Sequence, residues 1–317
     1  MLPEKIRYKT LCETRSLPIF MQYWWLDAVC GESAWNVALS YDKGGNIRGA
    51  LAYHTKQYFG ISVVLPPQLT PYTGIWLDID KDAKLHTRYA LEHEITSELI
   101  AALPRVPFLK LNTSFLFNDG LPFLWNGFQQ TLKYTYILEN LQDTDFIFNQ
   151  FKPELRREIR LSEQQYELET IEDVEVFYHF NKKTFERKGL EIPYSLSLLQ
   201  RLDAACIKQN ARKIYVATQN NVPIAMLYTV FDKDTTTNLM NTFDSDIPKN
   251  MGVKYLLWCA IKEASIRQHR FDFEGSMLPG IEAFVRGFGG EAKPYYGFSK
   301  SKNRLWKLIN IALGYKF

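Results

Sequence analysis

The chain repeats itself, and the repeat restricts what it can fold into. Trp35–Gly60 reads WNVALSYDKGGNIRGALAYHTKQYFG. An alternating strand meets a Gly-Gly-Asn turn and a second alternating strand follows, which is a hairpin signature. Lys213–Met240, KIYVATQNNVPIAMLYTVFDKDTTTNLM, has the same strand, an Asn-Asn turn, a second strand and then a third. Further along the first half, Leu91, Ile95, Leu99 and Leu103 share one helical face, and the strand PFLKLNTS comes next. In the second half Val253, Leu256, Leu257, Ala260, Ile261 and Ala264 make the equivalent face, followed by the strand RFDFEGS. After each strand come Leu-Pro, Gly-Phe and a Tyr-rich strand. The copies read LPFLWNGFQQTLKYTYIL and LPGIEAFVRGFGGEAKPYYGF. Identity between them is low, but the order of elements is the same.

The expected architecture is therefore a tandem of one β-β-β-α-β-β unit. Locally paired strands, with a helix crossing before the next strand, give an α/β (α+β) protein. Each unit is a mixed, mostly antiparallel sheet with flanking helices. A length of 317 residues accommodates two such units. The boundary is expected in DTDFIFNQFKPELRREIR, where strand gives way to charged helix, dividing the chain into residues 1–145 and 146–317. Phe146–Phe151 is apolar, so this connection should be packed rather than floppy.

Composition excludes several classes. A hydrophobic share of 46% and a charged share of 23% are those of a globular protein, and a net charge of +3 does not mark a DNA-binding one. The sequence has no apolar run of the ~20 residues a membrane span needs, and MLPEKIRYKTLCETRSLP lacks the apolar core of a secretory signal. Cys12, Cys30, Cys206 and Cys259 are scattered with no Cys-x-x-Cys, so reduced thiols in a cytoplasmic protein are expected. His93-Glu94 opens like a zinc-protease motif, but no second His follows at the needed spacing, and no metal site is expected.

The element order resembles the GNAT acyltransferase fold. The tandem arrangement resembles the Fem-type peptidyltransferases and their FemAB-like acetyltransferase relatives. The resemblance covers most of the chain and is carried by short motifs in a fixed order. These begin with Trp24–Leu26 with Asp27 and Ala28, then Pro71–Gly74, and Trp125–Phe128 ahead of Tyr134–Tyr136. Arg156–Arg160 with Glu163, Thr184–Gly189, Phe271 to Ser276 and Phe284–Gly290 complete them. The resemblance implies attack by an amine on an activated acyl group, carried by coenzyme A in GNAT enzymes and by aminoacyl-tRNA in Fem ligases. Such chemistry needs a positioned amine, a proton acceptor and oxyanion donors.

Candidate site residues follow. In the strand from Arg270, a period of two puts Asp272 and Glu274 on one face and Phe271 and Phe273 in the core. Two neighbouring carboxylates repel, and one with a raised pKa suits a general base for an ammonium substrate. The other reading is a polar face paired with nearby cations. Leu278-Pro279-Gly280 reads as a turn, and Gly287–Gly290 as a structural loop rather than a phosphate cradle, since a strand follows it. The resemblance places the pyrophosphate of the thioester donor, acetyl-CoA or another acyl-CoA, at Lys249, Asn250, Met251, Gly252, Val253 and Lys254. Lys254 stands there in place of the family's small residue. In the first copy the matching segment is Pro-rich and aromatic, which suits a degenerate, substrate-binding half. Tyr72 and Trp76 can stack on a sugar or peptide there, or serve as core. Arg156 and Arg160 share a helical face beside Arg157 and match the family pattern. They suit phosphate or carboxylate, or form a solvated face with Glu154 and Glu158.

Two departures bear on the donor. Fem ligases carry an aromatic-Lys pair before the last Gly-Phe, whereas here Val285 follows Phe284 and the nearest cation is Arg286. Nor does the stretch between Phe180 and Asn210 have room for the long helical hairpin those ligases insert. Both favour an acyl-CoA-type N-acyltransferase acting on a cell-envelope sugar or peptide. An aminoacyl-tRNA-dependent peptidoglycan peptidyltransferase, with tRNA as partner, and a non-catalytic duplicated scaffold stay open. Finally, SKSKNRLWKLINIALGYKF carries five cations and no acid, with Leu305, Leu308, Ile309, Ala312 and Leu313 at helical spacing. Burial of this stripe against the first unit is expected, with at most peripheral contact at the inner face of the membrane.

Overall fold

The computed structural model describes residues 3–58, 60–275 and 277–302. They form two compact units, one up to Lys133 together with the residues from Pro294 onward, the other Tyr134–Lys293. The expected cut between residues 145 and 146 is thus displaced to Lys133/Tyr134, and the chain's last strand belongs to the first unit. The basic segment from residue 303 onward lies outside the described residues.

The first unit runs α1 Pro3–Thr14, a single 3-10 turn Ile19–Met21, α2 Tyr23–Cys30, β1 Trp35–Tyr41, β2 Ile47–Tyr58, β3 Ile61–Val64, β4 Trp76–Leu77, α3 Leu85–Ala101, β5 Phe108–Asn112 and α4 Leu121–Trp125. β6, Gln129–Leu138, then carries the chain into the second unit. That unit continues with α5 Thr144–Gln150, α6 Pro153–Gln165, β7 Glu167–Ile171, α7 Val174–Arg187, α8 Leu196–Lys208, β8 Arg212–Gln219, β9 Val222–Phe231, β10 Thr235–Phe243, α9 Gly252–Ile266, β11 Arg270–Asp272 and α10 Pro279–Arg286. β12, Glu291–Ser301, returns the chain to the first unit.

The repeat is explicit in the strand pairing. In the first unit β1/β2 and β2/β3 are antiparallel, α3 crosses, and β5 lies parallel to β3. In the second, β8/β9 and β9/β10 are antiparallel, α9 crosses, and β11 lies parallel to β10. The closing strands are exchanged between the copies. β12, from the second copy, pairs with β5, whereas β6, from the first copy, pairs with β11. The turns are those the sequence called for. Asp42 Oδ1 accepts the N–H groups of Gly44 and Asn46, each at 2.8 Å, and Gly45 takes φ 82°. Asn220 and Asn221 take φ 52° and 63°, as a two-residue hairpin turn demands.

Each unit has its own core. In the first, Ile95 and Leu99 from α3, with Leu103 just beyond its end, join Leu51, Val64, Leu109, Phe123 and Phe298. In the second, α9 is buried along Leu256, Leu257, Ala260, Ile261 and Ala264, against Leu227, Phe271, Phe273 and Phe288. Both Leu-Pro sequences open short helices with Pro in the first turn, where its missing N–H costs nothing. Leu278-Pro279-Gly280 is therefore a helix start and not a turn. Gly287–Gly290 is, as expected, a loop leading into strand β12. Between Phe180 and Asn210 the chain holds the end of α7 and α8, which buries Leu198, Leu199, Leu202 and Cys206.

Candidate active site

β11 is short for a structural reason. Its parallel pairing with β10 runs only through Thr235/Arg270, Thr236/Phe271 and Thr237/Asp272. Beyond that point the chain stays with β6, where the Phe273 N–H donates to the Tyr136 carbonyl at 3.0 Å, and it leaves β10. A bulge at Asn238–Met240 bends β10 at the same level. The two strands part, and among the described residues the edge of β10 beyond Thr237 has no strand partner on that side. Asn238 spans the opening, its Nδ2 donating to the Phe273 carbonyl at 3.4 Å.

Asp272 sits at the point of divergence. Its residue exposure is 2%, yet it carries a carboxyl group. Oδ1 accepts from Thr135 Oγ1 at 2.5 Å and from the Glu274 backbone N–H at 2.8 Å. No described residue donates to Oδ2. Burial pushes the pKa from 3.8 up to about 6, against the opposing pull of the Thr135 and Glu274 hydrogen bonds and of Arg270. The raised value thus comes first from desolvation, with a smaller push from the Asp232 carboxylate. Such a group is ionised at neutral pH and accepts a proton more readily than an exposed aspartate.

Glu274 does not share a strand face with Asp272. The ladder ends at Asp272, and Glu274 adopts φ 51°, turning its half-buried side chain out of register. What Glu274 gives the site is its backbone N–H. The turn is anchored by Gly275, whose N–H donates to Thr135 Oγ1 at 3.1 Å. An added Cβ on Gly275 would lie 2.5 Å from the Tyr134 carbonyl oxygen, so only glycine fits. Phe271 and Phe273 are in the core, as their alternation predicts.

The loop before α9 is a built structure. Lys249 is left-handed, with φ 54°. Asn250 Nδ2 donates to the carbonyls of Ile224 and Asp244 at 2.9 and 3.0 Å, and its Oδ1 accepts the Gly252 N–H at 2.8 Å. Gly252 lets the helix press on β9, since a Cβ there would meet Ala225 Cβ at 2.5 Å. The Met251 N–H reaches Tyr166 Oη at 3.5 Å. The next N–H groups of the first turn, of Val253 and Lys254, meet no acceptor among the described residues. They fit an anionic group at the positive end of the helix. Lys254 itself does not point a free charge there, because its ammonium pairs with Glu158 at 2.6 Å. The cation left to such an anion is the exposed Lys249.

The other candidates are spread out. Tyr72 is buried and packs edge-on against Phe20 at 5.1 Å, so it stacks on protein and not on a sugar. Trp76 is half-buried on β4 opposite Ala50. Arg156 and Arg160 both reach back to α5. Arg156 Nη1 donates to Asn149 Oδ1 at 3.2 Å, and Arg160 covers the Phe148 ring at 5.3 Å. Arg156 Nε is buried without a partner among the described residues, a donor that an anion would satisfy. Arg286 donates to Glu282 Oε1 at 2.8 Å, and that oxygen also accepts from Tyr136 Oη at 2.6 Å. Those two bonds, Tyr136's first, hold the Glu282 carboxyl below its ordinary range.

Thr135 and Asn238 were not singled out in the sequence. Tyr134–Tyr136 stood only as a family motif, and nothing local announces that Thr135 meets a carboxyl group 137 residues away. The thiols offer no competing nucleophile. Burial raises Cys12 to about 11, Cys30 to about 12 and Cys259 to about 11, and pushes Cys206 up as well. Among the described residues no three His, Cys, Asp or Glu side chains are grouped to hold a metal ion, and no helix is long and apolar enough to cross a membrane.

Residues 149–284 match the acetyltransferase (GNAT) domain family. This stretch contains β10, α9, Asp272 and the loop at 249–254, so the second unit is a GNAT acetyltransferase domain and the chain is an acyltransferase. Over both units it has the fold of FemX, with a TM-score of 0.67 at 12% identity, covering 93% of this chain and 96% of that one. L-PGS from Bacillus licheniformis shares the fold at a TM-score of 0.56 and 11% identity, covering 98% of this chain and 95% of that one. No curated protein matches the chain in sequence.

Proposed function

We propose that the protein moves an acyl group from an acyl-CoA-type donor to an amine of a cell-envelope sugar or peptide in the cytoplasm, by direct attack of the amine. One observation carries the reading, namely a buried carboxyl group, raised to about 6, where β10 and β11 part within a GNAT domain. The donor's thioester supplies the activated acyl carbon. The acceptor arrives as an ammonium, and Asp272 Oδ2 takes one of its protons. The amine then forms the N–C bond, the C–S bond breaks, and the thiolate leaves and is protonated. Thr135 and the Glu274 N–H hold Oδ1, which fixes the carboxylate's orientation. In this reading backbone N–H groups of β10 beyond Thr237 donate to the developing oxyanion.

The first turn of α9, with Lys249, holds the donor's phosphates in this reading, and the first unit holds the acceptor. Catalysis is assigned to Asp272, with Glu274 contributing its backbone. Arg156, through its unpartnered Nε, is the arginine best suited to an anionic substrate group. The second reading, an aminoacyl-tRNA donor, is favoured by the likeness to FemX over nearly the whole chain. Against it stands the compact α7–α8 segment, where the Fem ligases to which the sequence is similar carry a long hairpin. A thermal-shift screen separates the two. Stabilisation by acyl-CoAs supports the first reading. Stabilisation by aminoacyl-tRNA alone replaces it with the second.

A further inference from the structure

We propose that Arg187 is a positioning residue of the donor site. It ties α7 to the loop before α9 and neutralises the two aspartates of that loop, so that the first turn of α9 accepts the donor's phosphates. The composition of the loop is the reason such a residue is needed. Residues 244–251, DSDIPKNM, carry Asp244 and Asp246 against one cation, Lys249. Left alone, they give a net negative charge to the segment that leads into the helix. Asp244 is also close to the helix start. Its carbonyl oxygen accepts from Asn250 Nδ2 at 3.0 Å, while Oδ1 of the same amide accepts the Gly252 N–H at 2.8 Å, so one asparagine amide separates the two backbones. An uncompensated carboxylate at this place opposes an anion at the N–H groups of Val253 and Lys254.

One guanidinium meets both acids. Arg187 Nη1 lies 2.5 Å from Asp244 Oδ1, and Nη2 lies 2.7 Å from Asp246 Oδ2. The side chains of Arg187 and Asp244 are 32% and 27% exposed, against 73% for Asp246, so the Asp244 contact is the better shielded from water. Asp244 Oδ1 also accepts the Asp246 N–H at 3.0 Å. That bond first, then Arg187 and last Lys183, hold the Asp244 carboxyl below its ordinary range against the opposing effect of burial. Neighbouring lysines are committed elsewhere, Lys254 to Glu158 and Lys182 to Glu186. The end of α7 gives Arg187 a fixed base. Thr184, one turn earlier and buried, has its hydroxyl 2.6 Å from that of Thr242 and 3.2 Å from the Phe243 carbonyl, which seats the last turn of α7 on the end of β10. The helix then stops at once, because Gly189 takes φ 67° and its N–H donates to the Glu186 carbonyl at 2.9 Å. The Thr184–Gly189 motif, which the acyl-transfer chemistry does not use directly, thereby acquires a task.

This inference rests on the reading that the first turn of α9 holds the phosphates of an acyl-CoA, and its test separates the two. Binding of acetyl-CoA and of S-acetylpantetheine, which has the same thioester arm without phosphates, is measured by calorimetry on the full chain. Wild type should bind acetyl-CoA about tenfold or more the tighter. Arg187→Gln should weaken acetyl-CoA by on the order of tenfold and S-acetylpantetheine by less than about twofold. The difference between Arg187→Gln and wild type should shrink at high salt. Arg187→Lys, which keeps the charge and loses the fork, should retain most of the affinity. Adding Asp244→Asn and Asp246→Asn to Arg187→Gln should restore acetyl-CoA binding to within about threefold of wild type, since no acid is left to neutralise. In the wild-type background the same two Asn substitutions should tighten acetyl-CoA alone, which keeps the test open if Arg187→Gln does not fold. A wild type that binds both donors equally removes the phosphate reading and the proposal with it. A preference for acetyl-CoA that Arg187→Gln leaves intact overturns the proposal and leaves that reading standing. Equal loss of both donors also overturns it, because Arg187 would then serve the fold and not the phosphates.

Discussion

Replacing Asp272 with Asn separates the charge of this group from its shape. The amide keeps the volume, and its oxygen still accepts from Thr135 and from the Glu274 N–H. What it removes is a buried negative charge. The folded-state pKa, about 6, lies above the unfolded 3.8, so the native state binds the proton more tightly. The stabilising contribution of the neutral acid is therefore complete below pH 3.8, is lost as pH rises to about 6, and is replaced above that by the full cost of the buried anion. The difference between 3.8 and about 6 corresponds to about 3 kcal/mol. Urea unfolding of the two proteins at matched pH should give equal stabilities near pH 4. At pH 8 the Asn variant should be the more stable by up to about 3 kcal/mol. In the same proteins CoA release should follow the opposite course. The wild-type rate rises with pH through about 6, whereas the variant loses about 10²- to 10⁴-fold. A variant no more stable than wild type at pH 8, with near-normal turnover, would refute both the burial argument and the catalytic assignment.

Thr135→Val removes the hydrogen bond that opposes the desolvation of Asp272. The acid limb of the pH–rate profile should then move to higher pH, and an unmoved limb would separate Thr135 from catalysis. Arg212→Met strands Asp203, which the arginine binds at 2.9 and 3.3 Å and Tyr228 Oη meets at 2.8 Å, all nearly inaccessible to water. Urea unfolding should show a loss of about 3–5 kcal/mol, and a smaller one when Asp203→Asn is added. Gly275→Ala drives a methyl group into the Tyr134 carbonyl and should cost about 1–3 kcal/mol in the same assay, together with loss of turnover as the Glu274 N–H shifts.

The hairpins, the two crossing helices and the core faces were legible because they are local. Alternation from Trp35 and Lys213, and the 3.6-residue spacing of Val253 to Ala264, have one structural solution each. The exchange of β6 and β12 was not legible. Each Tyr-rich strand follows its own copy in sequence, and nothing in its residues states that it pairs with the other copy's parallel strand. That single omission misplaced the boundary. The site was half legible. Strand alternation found Asp272, but treated Glu274 as its twin, because a period of two holds only while the ladder lasts and this ladder ends at Asp272. Thr135 lies far away in sequence and has no local signal. At the 249–254 loop the residue types were read as an anion cradle with two lysines. The structure engages one of them with Glu158, a partner on α6 that spacing alone does not reveal.

Direct transfer without an acyl-enzyme is the centre of the account, and intact-protein mass measures it. Acetyl-CoA is mixed with excess enzyme, with and without a panel of amino sugars and peptides, while released thiol and protein mass are followed together. CoA should be released only when an amine acceptor is present, with the protein mass unchanged at every time point. A protein that gains the mass of one acetyl group in the absence of acceptor would contradict the account.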